Sequence, residues 1–103
     1  MKTPERDVLR ACLEYLRLKG HYVIRVNGGA FRTDKGHYVR CTDMPGVPDL
    51  IGLTWDGKPL AVECKSSTGK QSKEQELFMK NWIYRQGVYV VARSVECLKE
   101  AGL

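Results

Sequence analysis

The 103-residue chain has a net charge of +5 and a hydrophobic content of 43%, the size and composition of one globular domain. It has no apolar run long enough to span a membrane and no N-terminal segment with the apolar core of a signal peptide, so we expect a cytoplasmic protein. The positive charge is compatible with a polyanionic partner but does not by itself indicate one.

The N-terminal segment predicts a helix over residues 4–19. Thr3 is a suitable N-cap, and Pro4 fits the first helical position. Apolar residues recur at helical spacing from Val8 to Leu16, and Gly20 ends the run.

The next segment alternates like a β-strand over residues 21–26 and then becomes rich in glycine and polar residues. We interpret residues 27–46 as a long loop with room for a short strand at 37–41. A loop of this length is uncommon in a compact domain and is often functional.

The middle of the chain predicts two central strands. Residues 49–55 and 58–66 are apolar on both faces, which is typical of strands covered by helices on both sides. A helix follows over residues 73–86, with Ser72 as its N-cap and Gly87 at its end.

The chain ends with a strand over residues 88–92 and a short helix that Ser94 caps and that ends near Gly102. The predicted order of elements is therefore αβββαβα, an α/β fold with helices packed on a small sheet. Residues 1–103 are expected to form this one domain.

The four cysteines, Cys12, Cys41, Cys64 and Cys97, are scattered along the chain. There is no C-x-x-C motif and no neighbouring Cys/His pair, so the sequence does not support a zinc site. A disulfide is an alternative, but in a chain without a secretion signal we expect reduced thiols.

Three charged residues, Asp49, Glu63 and Lys65, lie in or beside the two apolar central strands. Strand alternation places Glu63 and Lys65 on one face. A two-residue turn at 56–57 would turn Asp49 to the opposite face, whereas a three-residue turn at 55–57, ending in a left-handed glycine, would pair Asp49 with Glu63. If chemistry occurs here, we expect the three-residue turn or a bulge elsewhere that restores the same parity.

Two carboxylates this close repel each other, and burial strengthens the repulsion. A divalent cation such as Mg²⁺ would neutralise them, because it takes hard oxygen ligands and leaves positions for water and a substrate phosphate. Lys65 would then orient or deprotonate a water, or stabilise charge on the phosphate. The alternative is ordinary strand-end charges, with Asp49 in a turn and Glu63 paired with Lys65.

These residues match both halves of the PD-(D/E)xK signature: Pro48-Asp49 and Glu63-Cys64-Lys65. The chain resembles the virus-type replication-repair nuclease (VRR-Nuc) domain of that superfamily, in its stand-alone viral form, over about residues 5–95. The resemblance rests on an ordered series of short motifs: Glu5 followed by Val8, then "RVNGGA" (Arg25, Asn27, Gly29, Ala30), "GVPDLIG", "VECKS" and "GKQSKEQ".

The resemblance implies a restriction-endonuclease-like αβββαβ core and a metal-dependent DNA nuclease. It implies that Asp49, Glu63 and the Cys64 carbonyl bind Mg²⁺ or Mn²⁺, that Lys65 is the catalytic lysine, and that Gln75 lies at the active site. An alternative for Gln75 is a capping box, because Ser72 to Gln75 reads S-x-x-Q.

The family also places an outer carboxylate on the first helix, and we assign it to Glu5. Glu5 shares a helical stripe with Leu9, Cys12 and Leu16, so we expect it to lean toward the core. Glu14, on a more solvated flank, is the second candidate. Glu5 has the alternative role of a first-turn acid favoured by the helix dipole.

Basic residues supply candidate DNA contacts. Lys70 and Lys73 flank the start of the helix at 73–86, where a phosphate would also meet the positive end of the helix. Arg32, Lys35 and Arg40 form a second set in the loop at 27–46. Each has the alternative of an ordinary solvated side chain.

The function that we predict is a Mg²⁺- or Mn²⁺-dependent endonuclease that cuts branched DNA, with a homodimeric Holliday-junction resolvase as the leading form. A phage-encoded member of this type would act in the cytoplasm of its host bacterium. The alternatives are a flap-directed, end-directed or restriction-type nuclease, a non-catalytic DNA-binding module on a nuclease fold, and an unrelated small α/β protein.

Overall fold

A computed structural model describes residues 3–26, 30–32, 34–36, 38–40 and 44–103, with the backbone alone described at 30–32 and 38–40. The elements in chain order are α1 (Glu5–Leu18), β1 (Tyr22–Arg25), β2 (Ala30–Arg32), β3 (Tyr38–Arg40), β4 (Leu50–Leu53), β5 (Pro59–Cys64), α2 (Lys73–Tyr84), β6 (Val88–Ala92) and α3 (Val95–Glu100).

The main sheet has four strands in the order β1-β4-β5-β6. β4 pairs antiparallel with β1 and with β5, whereas β5 and β6 are parallel. The fold is therefore α/β, with a mixed sheet and flanking helices, and β4 and β5 are central as predicted. No helix within the described ranges has the length and apolar character needed to cross a membrane.

The segment at 27–46 differs from its prediction, because β2 and β3 pair antiparallel as a separate two-stranded sheet. The sequence indicated a strand only near β3. β2 has three residues, too few for alternation with period two to stand out beside the glycines that precede it.

One face of the main sheet is covered by α1 and α3. The buried stripe of α1 and Leu98 of α3 pack against residues such as Leu50, Val62 and Cys64 of the sheet. The core therefore lies on the face opposite to Glu63, whose neighbours in β5 point into it.

The β4–β5 turn has the three-residue form that the sequence predicted. The Thr54 N–H donates to the Lys58 carbonyl at 2.8 Å, and Gly57 has a φ of +89°. Thr54 Oγ1 also accepts from the Lys58 N–H at 2.9 Å. These bonds fix the register of the two central strands.

The helix ends agree only partly with the sequence. Pro4 rather than Thr3 is the N-cap of α1, with no side-chain cap hydrogen bond. Ser72 caps α2 as predicted. At the end of α2 the left-handed residue is Gln86, with a φ of 69°, instead of Gly87.

Gly87 has a different role, since a Cβ there would lie 2.5 Å from the indole of Trp82. Ser94 is the N-cap residue of α3 without a side-chain cap bond. Cys12, Cys64 and Cys97 are free thiols as predicted, and Cys41 lies outside the described residues.

Candidate active site

Asp49 and Glu63 lie opposite each other at one end of the central strand pair. Leu50 pairs with Val62, and continuing that register by one residue brings Asp49 against Glu63. Both side chains, with Lys65, belong to the face of the sheet on which α2 packs. The strand parity predicted from the turn is therefore confirmed.

Asp49 is fixed by its backbone and by its carboxylate. Its carbonyl accepts from the Val26 N–H at 3.0 Å, and Oδ2 accepts from the Cys64 N–H at 2.9 Å. β4 begins only at Leu50, so the carboxylate takes the place of a strand partner for Cys64. A strand residue directs its N–H and C=O toward the same neighbour, so the Cys64 carbonyl also points to the side of Asp49.

The approach to Asp49 depends on Gly46 and Pro48. Gly46 has a φ of +85°, and a Cβ there would lie 2.3 Å from the Glu74 carbonyl oxygen. Pro48 is fully buried. Close contact between Gly46 and the first turn of α2 therefore places Asp49 next to that turn.

Glu63 is buried, with 2% of its surface exposed. Its Oε1 accepts from Gln75 Nε2 at 3.1 Å and lies 3.8 Å from Lys65 Nζ. Its Oε2 is buried without a hydrogen-bond partner among the described residues. A buried carboxylate with one orphaned oxygen is costly unless another group binds it.

The pKa of Glu63 is raised to about 8. Burial is the main cause, followed by the negative charge of Asp49 and by a side-chain hydrogen bond with Asp49 that favours the protonated form. Lys65 offsets part of the rise, and the charge of Glu5 adds to it. At neutral pH and without metal, the proton that Glu63 retains offsets the repulsion between the two carboxyl groups, and a bound cation would take the place of that proton.

Gln75 completes the capping box that the sequence offered as one of its two roles, and it also contacts Glu63. Its N–H donates to Ser72 Oγ at 3.1 Å, and its Oε1 accepts from the Ser72 N–H at 2.9 Å, which completes a capping box. The remaining amide group, Nε2, donates to Glu63. The cap thus holds the amide in position against the carboxylate.

Glu5 is exposed at the first residue of α1 instead of leaning into the core, and its charge still acts on Glu63. The first helical residue has no preceding turn to cover it. Glu14 is exposed about 13 Å further along the helix axis. Of the two helix carboxylates, the electrostatics of the site favour Glu5.

The candidate DNA-binding residues are only partly brought together. Lys70 and Lys73 are exposed on either side of the N-cap of α2, close to Gln75. Arg32 and Arg40 belong to β2 and β3, and their side chains lie outside the described part of the structure, whereas Lys35 is exposed between those strands.

Sequence reasoning missed two contacts that hold the segment between β5 and α2. Arg93 Nη1 donates to the carbonyls of Ser66 at 2.6 Å and Gly69 at 2.7 Å. Gln71 Nε2 donates to the Tyr89 hydroxyl at 3.3 Å. Tyr89 belongs to the last strand, β6, and Arg93 directly follows it. The sequence feature that could have indicated these contacts was a polar group in or beside an otherwise apolar run.

A metal ion here would have two carboxylates and a backbone carbonyl as protein ligands. The described residues contain no group of three or more His, Cys, Asp and Glu side chains placed to hold a metal. Mg²⁺ is commonly bound through one or two carboxylates, with water and substrate phosphate completing its shell, so the oxygen donors fit that ion.

Comparisons of the chain with protein-family models, with curated proteins and with solved structures find no match.

Proposed function

We propose that the protein is a divalent-metal-dependent DNA endonuclease of the VRR-Nuc type, with the restriction-endonuclease-like core that this implies. The observation that carries the proposal is the buried Glu63 opposite Asp49, with Oε2 unpartnered in the described structure. A merely structural carboxylate would be expected to have both oxygens satisfied or exposed to water.

Asp49, Glu63 and the Cys64 carbonyl would hold Mg²⁺ or Mn²⁺, with Glu5 as an outer carboxylate. The ion supplies neutralisation of phosphate charge and a bound water of lowered pKa. The protein's part is to fix the oxygen donors, and the bond from the Cys64 N–H to Asp49 does so for one of them.

Lys65 and Gln75 would act beside the metal ligands. Lys65, 13% exposed at its side chain, has its ammonium group on the same face as the carboxylates, where it can orient a water or stabilise charge on the phosphate. Gln75 holds Glu63 in one orientation through Nε2. Lys70 and Lys73 would bind the DNA backbone, together with Arg32 and Arg40.

The substrate that we propose is branched DNA, with a four-way junction cut by a homodimer as the leading case. Paired cuts across a symmetric junction need two active sites, and each chain has one candidate site. The sequence has no recognisable base-reading motif, which favours recognition by DNA shape over sequence.

The test is cleavage of an end-labelled four-way junction and of a linear duplex with the same arm sequence, in Mg²⁺, in Mn²⁺ and in EDTA. We expect metal-dependent cutting of the junction that Glu63→Gln abolishes and that Glu76→Gln, a change at an exposed acid of α2, leaves intact. Equal cutting of junction and duplex would refute the proposal of a junction resolvase but would still support the proposal of a nuclease.

Junction binding without any cleavage in either metal would instead support the non-catalytic DNA-binding module. Cutting of flaps or ends alone would support the other nuclease class. Binding is measured in Ca²⁺, so that affinity and chemistry are separated.

A further inference from the structure

One side of α2 borders an apolar groove of ≈ 670 Å³. The opposite wall includes Pro45 and Pro59. The helix side is formed by residues that we call the α2 stripe: Glu74, Leu77, Phe78, Asn81, Trp82 and Arg85.

The described residues of one chain cover this surface only in part. Of the twelve residues of α2, all described, none is buried. Leu77 is 62% exposed, and Leu53, whose strand partner Pro59 lies in the groove, is 45% exposed. Contiguous apolar surface of this kind on a small protein commonly marks an interaction site.

The charges of the α2 stripe are arranged so that two copies of it complement each other. Glu74 and Arg85 are eleven residues apart, which is close to three turns, so they lie on one side of the helix about 16 Å apart. The acid is at one end and the base, whose guanidinium also donates to Asn81 of its own chain, is at the other. Leu77, Phe78, Asn81 and Trp82 lie between them.

We propose that the α2 stripe is the interface with a second copy of this chain, with the two α2 helices antiparallel across a twofold axis. When the axis passes between Phe78 and Asn81, Glu74 of each copy lies beside the partner's Arg85, and Leu77 lies beside the partner's Trp82. A twofold interface requires this self-complementarity, because each residue pair occurs twice.

The α2 stripe has an apolar centre and charged ends, as stable protein interfaces do. Leu77, Phe78 and Trp82 form an apolar centre, and the stacked rings of Phe78 and Trp82, 5.5 Å apart, give it a rigid surface. Glu74 and Arg85 form a polar rim. Pro45 and Pro59 in the groove wall extend the apolar area beyond the helix itself.

The interface would set the spacing of the two candidate active sites, a consequence that rests on the proposed function. Gln75, next to Glu74 in the first turn, donates to Glu63. Antiparallel helices of twelve residues are about 18 Å long, so the two Gln75–Glu63 contacts would lie at opposite ends of the helix pair. Two active sites held at a fixed distance would allow paired cuts in a four-way junction.

The test is the mass of the full chain by sedimentation velocity over a range of concentrations, for wild type, Glu74→Arg, Arg85→Glu and the double variant. We expect a wild-type dimer, weakening by at least about tenfold in each single variant, and recovery in the double variant, where the reversed charges again meet across the axis. Glu76→Arg is the matched control, because it changes a second acid in the same helix turn, on the opposite side of α2.

A wild-type monomer at all concentrations would overturn the proposal, as would a dimer that neither single variant weakens or that the double variant does not restore. Leu77→Glu is a second test, since an exposed leucine can be changed without unfolding the chain, and it must also give monomer. These measurements need neither DNA nor metal, so their failure is distinguishable from failure of the nuclease proposal.

Discussion

Gln75 donates a hydrogen bond from Nε2 to Oε1 of Glu63, at 3.1 Å. Its carbonyl oxygen, Oε1, accepts from the Ser72 N–H, at 2.9 Å. One side chain therefore completes the capping box of α2 and holds the buried carboxylate. The start of the helix and the candidate metal site are joined by this one amide.

The two roles of Gln75 can be separated by comparing Gln75→Ala with Ser72→Ala. Both remove a capping interaction, and each should cost about 1 kcal/mol of stability. Only Gln75→Ala frees Oε1 of Glu63, and loss of a group that orients a metal ligand costs roughly 10- to 100-fold in activity. We expect Ser72→Ala to cleave DNA at near wild-type rate.

Junction cleavage under saturating Mg²⁺ measures the activity of each variant, and urea unfolding measures its stability. Equal activity losses in the two variants would mean that Gln75 serves only the cap.

The stability of the metal-free protein should fall as pH rises. The pKa of Glu63 is about 8 in the folded protein, against an ordinary value of 4.5, so between these values the folded chain holds a proton that the unfolded chain has lost. The stabilisation is complete below the lower value and is lost as pH rises through the higher one.

The measurement is the free energy of unfolding in EDTA from pH 4.5 to pH 9, for wild type and Glu63→Gln. Subtracting the two curves removes the titration of other groups, and we expect the difference to decline across the window. A flat difference would show that Glu63 is already ionised in the folded protein.

The pairing of Asp49 with Glu63 was predictable, because a hairpin turn fixes register locally. Once Gly57 takes the left-handed conformation of the three-residue turn, the register of all residue pairs between β4 and β5 is fixed. The capping box was predictable for the same reason, since it involves residues three apart.

The contacts to β6 were not predictable in this way. Arg93 and Tyr89 reach the loop before α2 only because β6 lies parallel to β5, a pairing across more than twenty residues. No local pattern encodes that adjacency. The exposure of Glu5 was also not predicted. Helical periodicity shows which side of α1 faces the sheet, but it does not show whether the sheet reaches as far as the first turn of the helix.

Gly46 and Gly57 provide a matched pair for testing how Asp49 is placed. Both have positive φ, but a Cβ at Gly46 would lie 2.3 Å from the Glu74 carbonyl oxygen, whereas no described residue lies within 4 Å of a Cβ at Gly57. Gly57→Ala should cost about 1–2 kcal/mol from backbone strain alone. Gly46→Ala should cost more and should also lower cleavage, because the first turn of α2 must move.

Urea unfolding compares the two stabilities, and the cleavage assay compares the activities. If Gly46→Ala were no worse than Gly57→Ala in both, contact with α2 would not position Asp49.

Arg93 should keep the loop between β5 and α2 in place. Arg93→Ala removes the bonds to the Ser66 and Gly69 carbonyls, so we expect faster trypsin cleavage after Lys70. Limited proteolysis with mass spectrometry identifies the site. Lys99→Ala, which removes an exposed ion pair with Glu96, is the control and should leave the loop protected.

Binding of a divalent cation should raise the thermal stability of the wild-type protein but not that of Asp49→Asn or Glu63→Gln. A ligand at about 100 times its dissociation constant adds about 2.7 kcal/mol to the folded state. For a chain of this size, that corresponds to an increase in Tm of roughly 10 °C. The Glu63 proton competes with the cation, so the increase should be larger at pH 8.5 than at pH 6.

Thermal unfolding in Mg²⁺, in Mn²⁺ and in EDTA measures this directly and needs no DNA. Asp34→Asn, at an exposed acid far along the chain from both carboxylates, controls for nonspecific screening of charge. A shift of equal size in wild type and in both site variants would place the cation elsewhere, and the orphaned oxygen of Glu63 would then need a protein or solvent partner instead.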